Sequence, residues 1–178
     1  MSLTIQLEPV ATAWNEVMVL ATQHWHGTKN YRRHEPFCPS FDRYHACNQS
    51  GFFQLFTARD GPTLVGYFGV YITESMHSQK RMATEDTFYL SPSHRGGRTA
   101  LRFLQHIERQ CQAWGVTELL FSCEIDNQTG ITRLLERLDY SPVIVQYQKR
   151  FSSPPCGDTA PPIPMEEPDV RPVASPHT

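Results

Sequence analysis

A chain of 178 residues with a net charge of -2 suits one domain and a short extension. Near-neutral charge without a basic stripe argues against a general nucleic-acid binder, and no apolar run reaches the roughly 18–20 residues that cross a bilayer. The opening MSLTIQLEPV has neither the basic start nor the apolar core of a signal peptide, so a protein made and kept in a cytoplasm is expected.

In chain order, EPVATAWNEVMVLATQH (8–24) puts Val10, Trp14, Val17 and Ala21 in one stripe, widened by Ala13 and Leu20, and predicts an amphipathic helix. HWH (24–26) is a metal-like cluster, but no second ligand group at matching spacing joins it, so no metal is expected. SFDRYHACN (40–48) opens on a candidate N-cap, Ser40, and predicts a short second helix. FFQLFTA and TLVGYFGVYIT flank the turn signal RDGP and predict an antiparallel hairpin. TEDTFYL (84–90) predicts another strand, halted by Pro92. TALRFLQHIERQCQAWG (99–115) carries Ala100, Phe103, Leu104, Ile107, Cys111 and Trp114 on one face and predicts a helix ended by Gly115. ELLFSCEI (118–125) predicts a buried strand, TGITRLLERLD (129–139) a short helix and VIVQYQKRF (143–151) a closing strand.

This order predicts an α/β (α+β) fold with a mixed, mostly antiparallel sheet. The helix between strands 84–90 and 118–125 makes one βαβ unit, so that pair runs parallel. The domain spans 1–152. Residues 153–178 hold eight of the fourteen prolines and few large apolar residues, and Asp158, Glu166, Glu167 and Asp169 outweigh Arg171. A disordered, acidic tail is expected. The five cysteines, Cys38, Cys47, Cys111, Cys123 and Cys156, form no C-x-x-C pair, and free thiols are the plainer reading.

Between the strand at 84–90 and the helix at 99–115 lies SPSHRGGR, where the chain enters a helix N-terminus. Unpaired N–H groups and the positive end of the helix dipole make such a junction an anion site. Gly96 and Gly97 let backbone approach a phosphate, and Arg95 and Arg98 add cationic donors.

With the element order, this junction resembles the GNAT superfamily of acyl-CoA N-acyltransferases, whose signature [RQ]-x-x-G-x-[GA] reads here as Arg95-Gly96-Gly97-Arg98-Thr99-Ala100. The HRGGR form looks like members encoded by tailed bacteriophages, for which the host cytoplasm is the expected location. LLERLDYSPV is similar to the family segment that leaves the last helix, and the resemblance covers about residues 4–151. It implies that acetyl-CoA is the co-substrate, with its pyrophosphate on the amides of 95–100. Its pantetheine arm would lie in a splay between strands 84–90 and 118–125, against backbone near Phe88 and Leu90 and beside Asn127. The implied acceptor is an amine on a small molecule or a protein, with neither nucleic acid nor membrane as partner; a homodimer is compatible with this reading. Two departures stand out: Arg98 replaces the central glycine, and Leu135 occupies the place of the tyrosine that often protonates the leaving thiolate, with Tyr140 the nearest tyrosine.

Acetyl transfer needs a base for the ammonium. Strand period places Thr84, Asp86, Phe88 and Leu90 on one face and Glu85, Thr87 and Tyr89 on the other, so Asp86 ranks first as base and Glu85 second. His77, in the loop before this strand, is a third candidate, and KNYRRHE (29–35) falls where the family covers its acceptor. A covalent role for Cys123 lacks a partner base. Two other classes stay open: a GNAT-fold binding or virion-associated module without turnover, and an α/β protein gripping another nucleotide phosphate. The second is weakened because no P-loop lysine follows the glycines.

Overall fold

Two runs dense in apolar residues, β2 (Phe53–Asp60) and β3 (Thr63–Glu74), form the centre of the sheet and are buried along most of their length. Strands read this way when helices cover both faces. In the computed structural model, which describes residues 3–27, 35–123 and 130–149, the remaining strands are β1 (Leu3–Leu7), β4 (Arg81–Leu90) and β5 (Val116–Leu120). The order is β1-β2-β3-β4-β5; β1 to β4 pair antiparallel, and β4 and β5 pair parallel. The helices are α1 (Val10–Gly27), α2 (Phe41–Gln49), α3 (Thr99–Ala113) and α4 (Ile131–Glu136). This is the mixed fold expected from the sequence.

The apolar stripes settle which helix covers which face. Phe103, Leu104, Ile107 and Cys111 of α3 pack with Phe56, Phe68, Val70, Ala83 and Leu90, and Leu135 of α4 joins them. Val10, Ala13, Val17, Leu20 and Ala21 of α1 pack on the opposite face with Phe53, Leu55, Leu64, Tyr67 and Tyr89. Local signals also act as read. Ser40 caps α2, accepting from the Arg43 N–H, and Gly115 follows α3 with φ +75°. At the α1 edge, Arg59 grips Glu8 at 2.7 Å and Glu16 at 2.8 Å, and the guanidinium holds the Glu8 carboxyl down at about 2.

Three expectations are corrected. β1 was not anticipated; it exists because its backbone pairs with β2, from Leu3↔Asp60 to Leu7↔Phe56. Of the predicted strand 143–151, residues 143–149 carry no strand, and Val143, Ile144 and Tyr147 are exposed. β-branched composition favours a pleated, packed surface and does not by itself supply a pairing partner. Cys38 is disulfide-bonded, whereas Cys47, Cys111 and Cys123 are free; cysteine spacing carries no information on which side chains fold into contact. The chain divides into units Met1–Val145 and Gln146–Thr178; in the second, the described residues 146–149 form neither helix nor strand. The proposed tail, 153–178, lies outside the described residues. No described helix is long and apolar enough to cross a membrane.

Candidate active site

β4 and β5 share only four registered pairs, from Arg81↔Val116 to Thr84↔Leu120. Beyond Thr84 no further pair joins them among the described residues: β5 ends at Leu120, while β4 continues to Leu90. The Ser91 N–H donates to the Val65 carbonyl at 2.8 Å, which fixes the phase of the β3–β4 ladder. By antiparallel alternation, the peptide groups of Phe88 and Leu90 then point away from β3, into the gap. The Leu90 carbonyl is held there by Arg95, whose Nε donates to it at 2.8 Å. The same guanidinium lies 5.3 Å from the centroid of the Tyr89 ring. Arg95 therefore braces the loop against β4 through its Nε.

The gap ends at the glycine loop. A short 3-10 turn (Pro92–His94) leads through Arg95 and Gly96 to Gly97, which adopts φ +67°. That left-handed conformation strains side chains other than glycine's. Arg98 occupies the N-cap position of α3, and its side chain makes no capping hydrogen bond. The amides of Thr99, Ala100 and Leu101 thus open the helix behind a loop where a Cβ on Gly96 or Gly97 would meet no atom within 4 Å. Arg98 and Arg102 make no ion pair among the described residues. An uncapped helix start behind open glycines suits an anion.

Where the strands part, β4 is bulged. Gly69 pairs with Thr87 and Val70 with Glu85, so Asp86 is the extra residue. The expected strand parity is therefore corrected. Glu85, opposite Val70, lies on the α3 face with Ala83 and Phe88. Asp86 and Thr87 both lie on the α1–α2 face with Tyr89. Asp86 Oδ1 accepts from the Tyr71 hydroxyl at 2.9 Å and Oδ2 from the Tyr44 hydroxyl at 3.3 Å. Burial, followed by the neighbouring Asp86 carboxylate, pushes the Tyr71 phenol up, so it stays a donor.

Glu85 reaches across the gap, where its Oε2 accepts from the Ser122 N–H at 3.4 Å. Burial pushes its carboxyl up to about 7, against the pull of that bond. Cys123 is exposed, and its thiol is raised by partial burial and then by Glu85. On the other face, His24 stacks on Tyr89 at 4.9 Å. Its Nδ1 lies 3.2 Å from the Tyr67 hydroxyl and 3.3 Å from the Thr87 hydroxyl. Burial, with Arg95 nearby, holds the imidazole down at about 4, so it is neutral at pH 7.

The structure thus brings together Glu85, Asp86, Phe88, Leu90 and the loop from Arg95 to Ala100. His77 is not among them: it is exposed in the turn before Arg81, at the opposite end of β4 from Leu90. Leu135 is a core side chain. Tyr140 packs on Phe121 at 5.4 Å with its hydroxyl beside Glu108 of α3. Asn127 and residues 29–34 lie outside the described residues. Tyr44 and Tyr71 had no sequence signal of their own as site residues, and His24 drew notice only within the HWH cluster; Gly69, a glycine inside an apolar strand, was the available hint of a bulge. Among the described residues, no three His, Cys, Asp or Glu side chains converge as a metal site.

Comparison with known proteins agrees with this architecture. The model of the acetyltransferase (GNAT) family matches residues 14–140. Against curated proteins the chain finds no significant match. Among solved structures, it resembles a ribosomal-protein-alanine N-acetyltransferase from Brucella melitensis biovar Abortus 2308, with 19% identity, a TM-score of 0.70, and 86% of this chain and 100% of that one covered. An aminoglycoside acetyltransferase from an uncultured soil metagenomic sample, in complex with sisomicin, aligns at 12% identity and TM-score 0.69, covering 84% and 97%. AAC(6')-Iy in complex with a CoA bisubstrate analogue aligns at 15% identity and TM-score 0.65, covering 85% and 100%. At these identities the likeness is one of fold.

Proposed function

The chain belongs to the GNAT acetyltransferase family, and from that premise we propose that it transfers an acetyl group from acetyl-CoA to an amine within a direct ternary complex. The observation that carries this reading is the gap between β4 and β5, which runs from two carboxylates at a bulge to an uncapped, glycine-flanked helix start. In this reading the amides of Gly96 to Leu101, with Arg98, take the pyrophosphate. The peptide groups of Phe88 and Leu90 line the pantetheine arm, and the Phe88 or Leu90 N–H polarises the thioester carbonyl. Bound acetyl-CoA supplies the activated acyl group; the protein orients it and moves protons.

Glu85 is the base in this scheme, replacing Asp86 as first choice. With its carboxyl near 7 it is part-ionised at neutral pH and suited to accept a proton. An acceptor ammonium gives one proton to Glu85, directly or through water. The neutral nitrogen attacks the thioester carbon, so an N–C bond forms and the C–S bond breaks. The second nitrogen-bound proton ends on the departing sulfur, a route that does not require a tyrosine at position 135. The acceptor class carried over is a small-molecule amine, in line with the aminoglycoside enzymes among the neighbours.

Calorimetry with acetyl-CoA, followed by thiol release with a panel of amines, tests the proposal. Saturable binding and amine-dependent thiol release are expected. Absence of acetyl-CoA binding overturns the reading; binding without turnover on any amine reduces the protein to a binding module.

A further inference from the structure

Away from the gap, the sheet ends at β1, whose outer edge pairs with no strand among the described residues. One bond fixes the phase of that edge. The Glu8 N–H donates to the Leu55 carbonyl at 3.0 Å. With the β1–β2 register, the bonded pairs are then Glu8–Leu55, Gln6–Thr57 and Thr4–Arg59. The N–H and C=O groups of Leu3, Ile5 and Leu7 therefore point outward. Edge strands are commonly blunted by charge, proline or a bulge. β1 reads LTIQL, with neither charge nor proline, and its pairing with β2 has no register shift.

The same three residues face α3. Leu3 and Ile5 pack against the α3 side of the core, and Leu7, opposite Phe56, shares that side and is 44% exposed. A groove of about 330 Å³ runs there, lined by Leu3 and Ile5 of β1 and by Arg102, Gln105, His106 and Arg109 of α3. Arg102 and Arg109 make no ion pair or side-chain hydrogen bond among the described residues. Burial, followed by Arg109, holds the His106 imidazole below its ordinary value, so the groove's charge at pH 7 is that of the two arginines. Seven residues of helix set them about 10 Å apart, the span of about three residues of strand.

Charge selects the occupant. A strand added to β1 would bond to Leu3, Ile5 and Leu7, and its residues opposite these three project onto the α3 face. Acidic side chains at those positions meet the arginines as charge-assisted pairs. A second copy pairing β1 to β1 would instead set two pairs of arginines against each other on one side of the sheet. We propose that β1 and α3 form a docking site for a partner protein, which adds an extended segment with acidic residues at alternate positions as a further strand on β1. Backbone bonds to the edge supply affinity, and the arginines select the sequence. The site is independent of the acetyl-transfer reading, since β1 lies three strands from β4.

The probe is a fluorescein-labelled heptapeptide of alternating threonine and glutamate, titrated by anisotropy against the full chain. Two further peptides are N-methylated, one at the glutamates, whose N–H groups face β1, and one at the threonines, whose N–H groups face away. The unmodified and threonine-methylated peptides should bind saturably, and the glutamate-methylated one roughly tenfold or more weaker. Arg102→Glu with Arg109→Glu should weaken the unmodified peptide by a similar factor. Arg133→Glu with Arg137→Glu makes the same change of charge on α4 and should leave binding near that of the wild type. Absence of saturable binding overturns the proposal. Equal binding of the two methylated peptides overturns it too, because a site for any polyanion ignores the backbone. Equal effects of the two double variants move the site off this groove. A dimer in which the Leu3, Ile5 and Leu7 amides stay protected from hydrogen exchange in excess peptide assigns the edge to a second copy and also overturns the proposal.

Discussion

Replacing Glu85 by Gln should move stability and activity in opposite directions. Folded Glu85 keeps its proton up to about 7, against 4.5 for the free side chain. Between those values the folded state binds more protons than the unfolded state, so stability falls as pH rises through that window. At about 1.36 kcal/mol per unit, the loss totals roughly 3 kcal/mol by pH 8. Glutamine has the shape of the protonated acid and none of its charge cost. Glu85→Gln should therefore match the wild type near pH 4 and exceed it at pH 8, by roughly 6–12 °C in Tm for a chain of this size. Its acyl-transfer rate should fall by about 10²–10⁴, and the acidic limb of the kcat/KM profile should vanish. Thermal melts at the two pH values and a pH–rate series are the assays. A variant that melts lower than the wild type at pH 8 would refute the burial argument, and one that keeps its rate and its acidic limb would refute the role as base.

Three further outcomes are expected. A Cβ added at Gly96 meets no neighbour within 4 Å, so Gly96→Asp should fold normally, yet its charge at an anion site should abolish the rise in Tm that acetyl-CoA gives the wild type; an unchanged rise would displace the pyrophosphate from this loop. Glu8→Gln removes a carboxylate only 8% exposed from the grip of Arg59 and should cost about 3 kcal/mol in urea unfolding at pH 7. Because the Glu8 carboxyl is held at about 2, that difference should be full above 4.5 and disappear as pH falls toward about 2. Gly69→Ala should force the Phe53 ring and Asp86 to shift and cost about 1–3 kcal/mol in urea unfolding; an unchanged unfolding midpoint would mean that the strand pair relaxes around the added methyl.

The sequence by itself determined the order of elements from α1 to α4, the α1 and α3 stripes, the Ser40 cap, the Gly115 stop and the glycine loop before α3, because each is set by residues within a few positions of one another. Which face each carboxylate of β4 occupies was decided only by the tertiary structure. Parity counted along TEDTFYL assigns Asp86 to the face of Phe88, and one unpaired residue reverses that assignment. The bulge arises in the pairing with β3, around Gly69, and nothing in β4 itself announces it. Tyr44, Tyr71 and His24 likewise reach the site from α2, β3 and α1, across contacts that no local pattern encodes. The segment at 143–149 makes the converse point, since strand propensity there meets no pairing partner among the described residues. Local chemistry sets which elements form; long-range pairing sets which way a side chain faces, and at this site it puts the two adjacent carboxylates of β4 on opposite faces of the sheet.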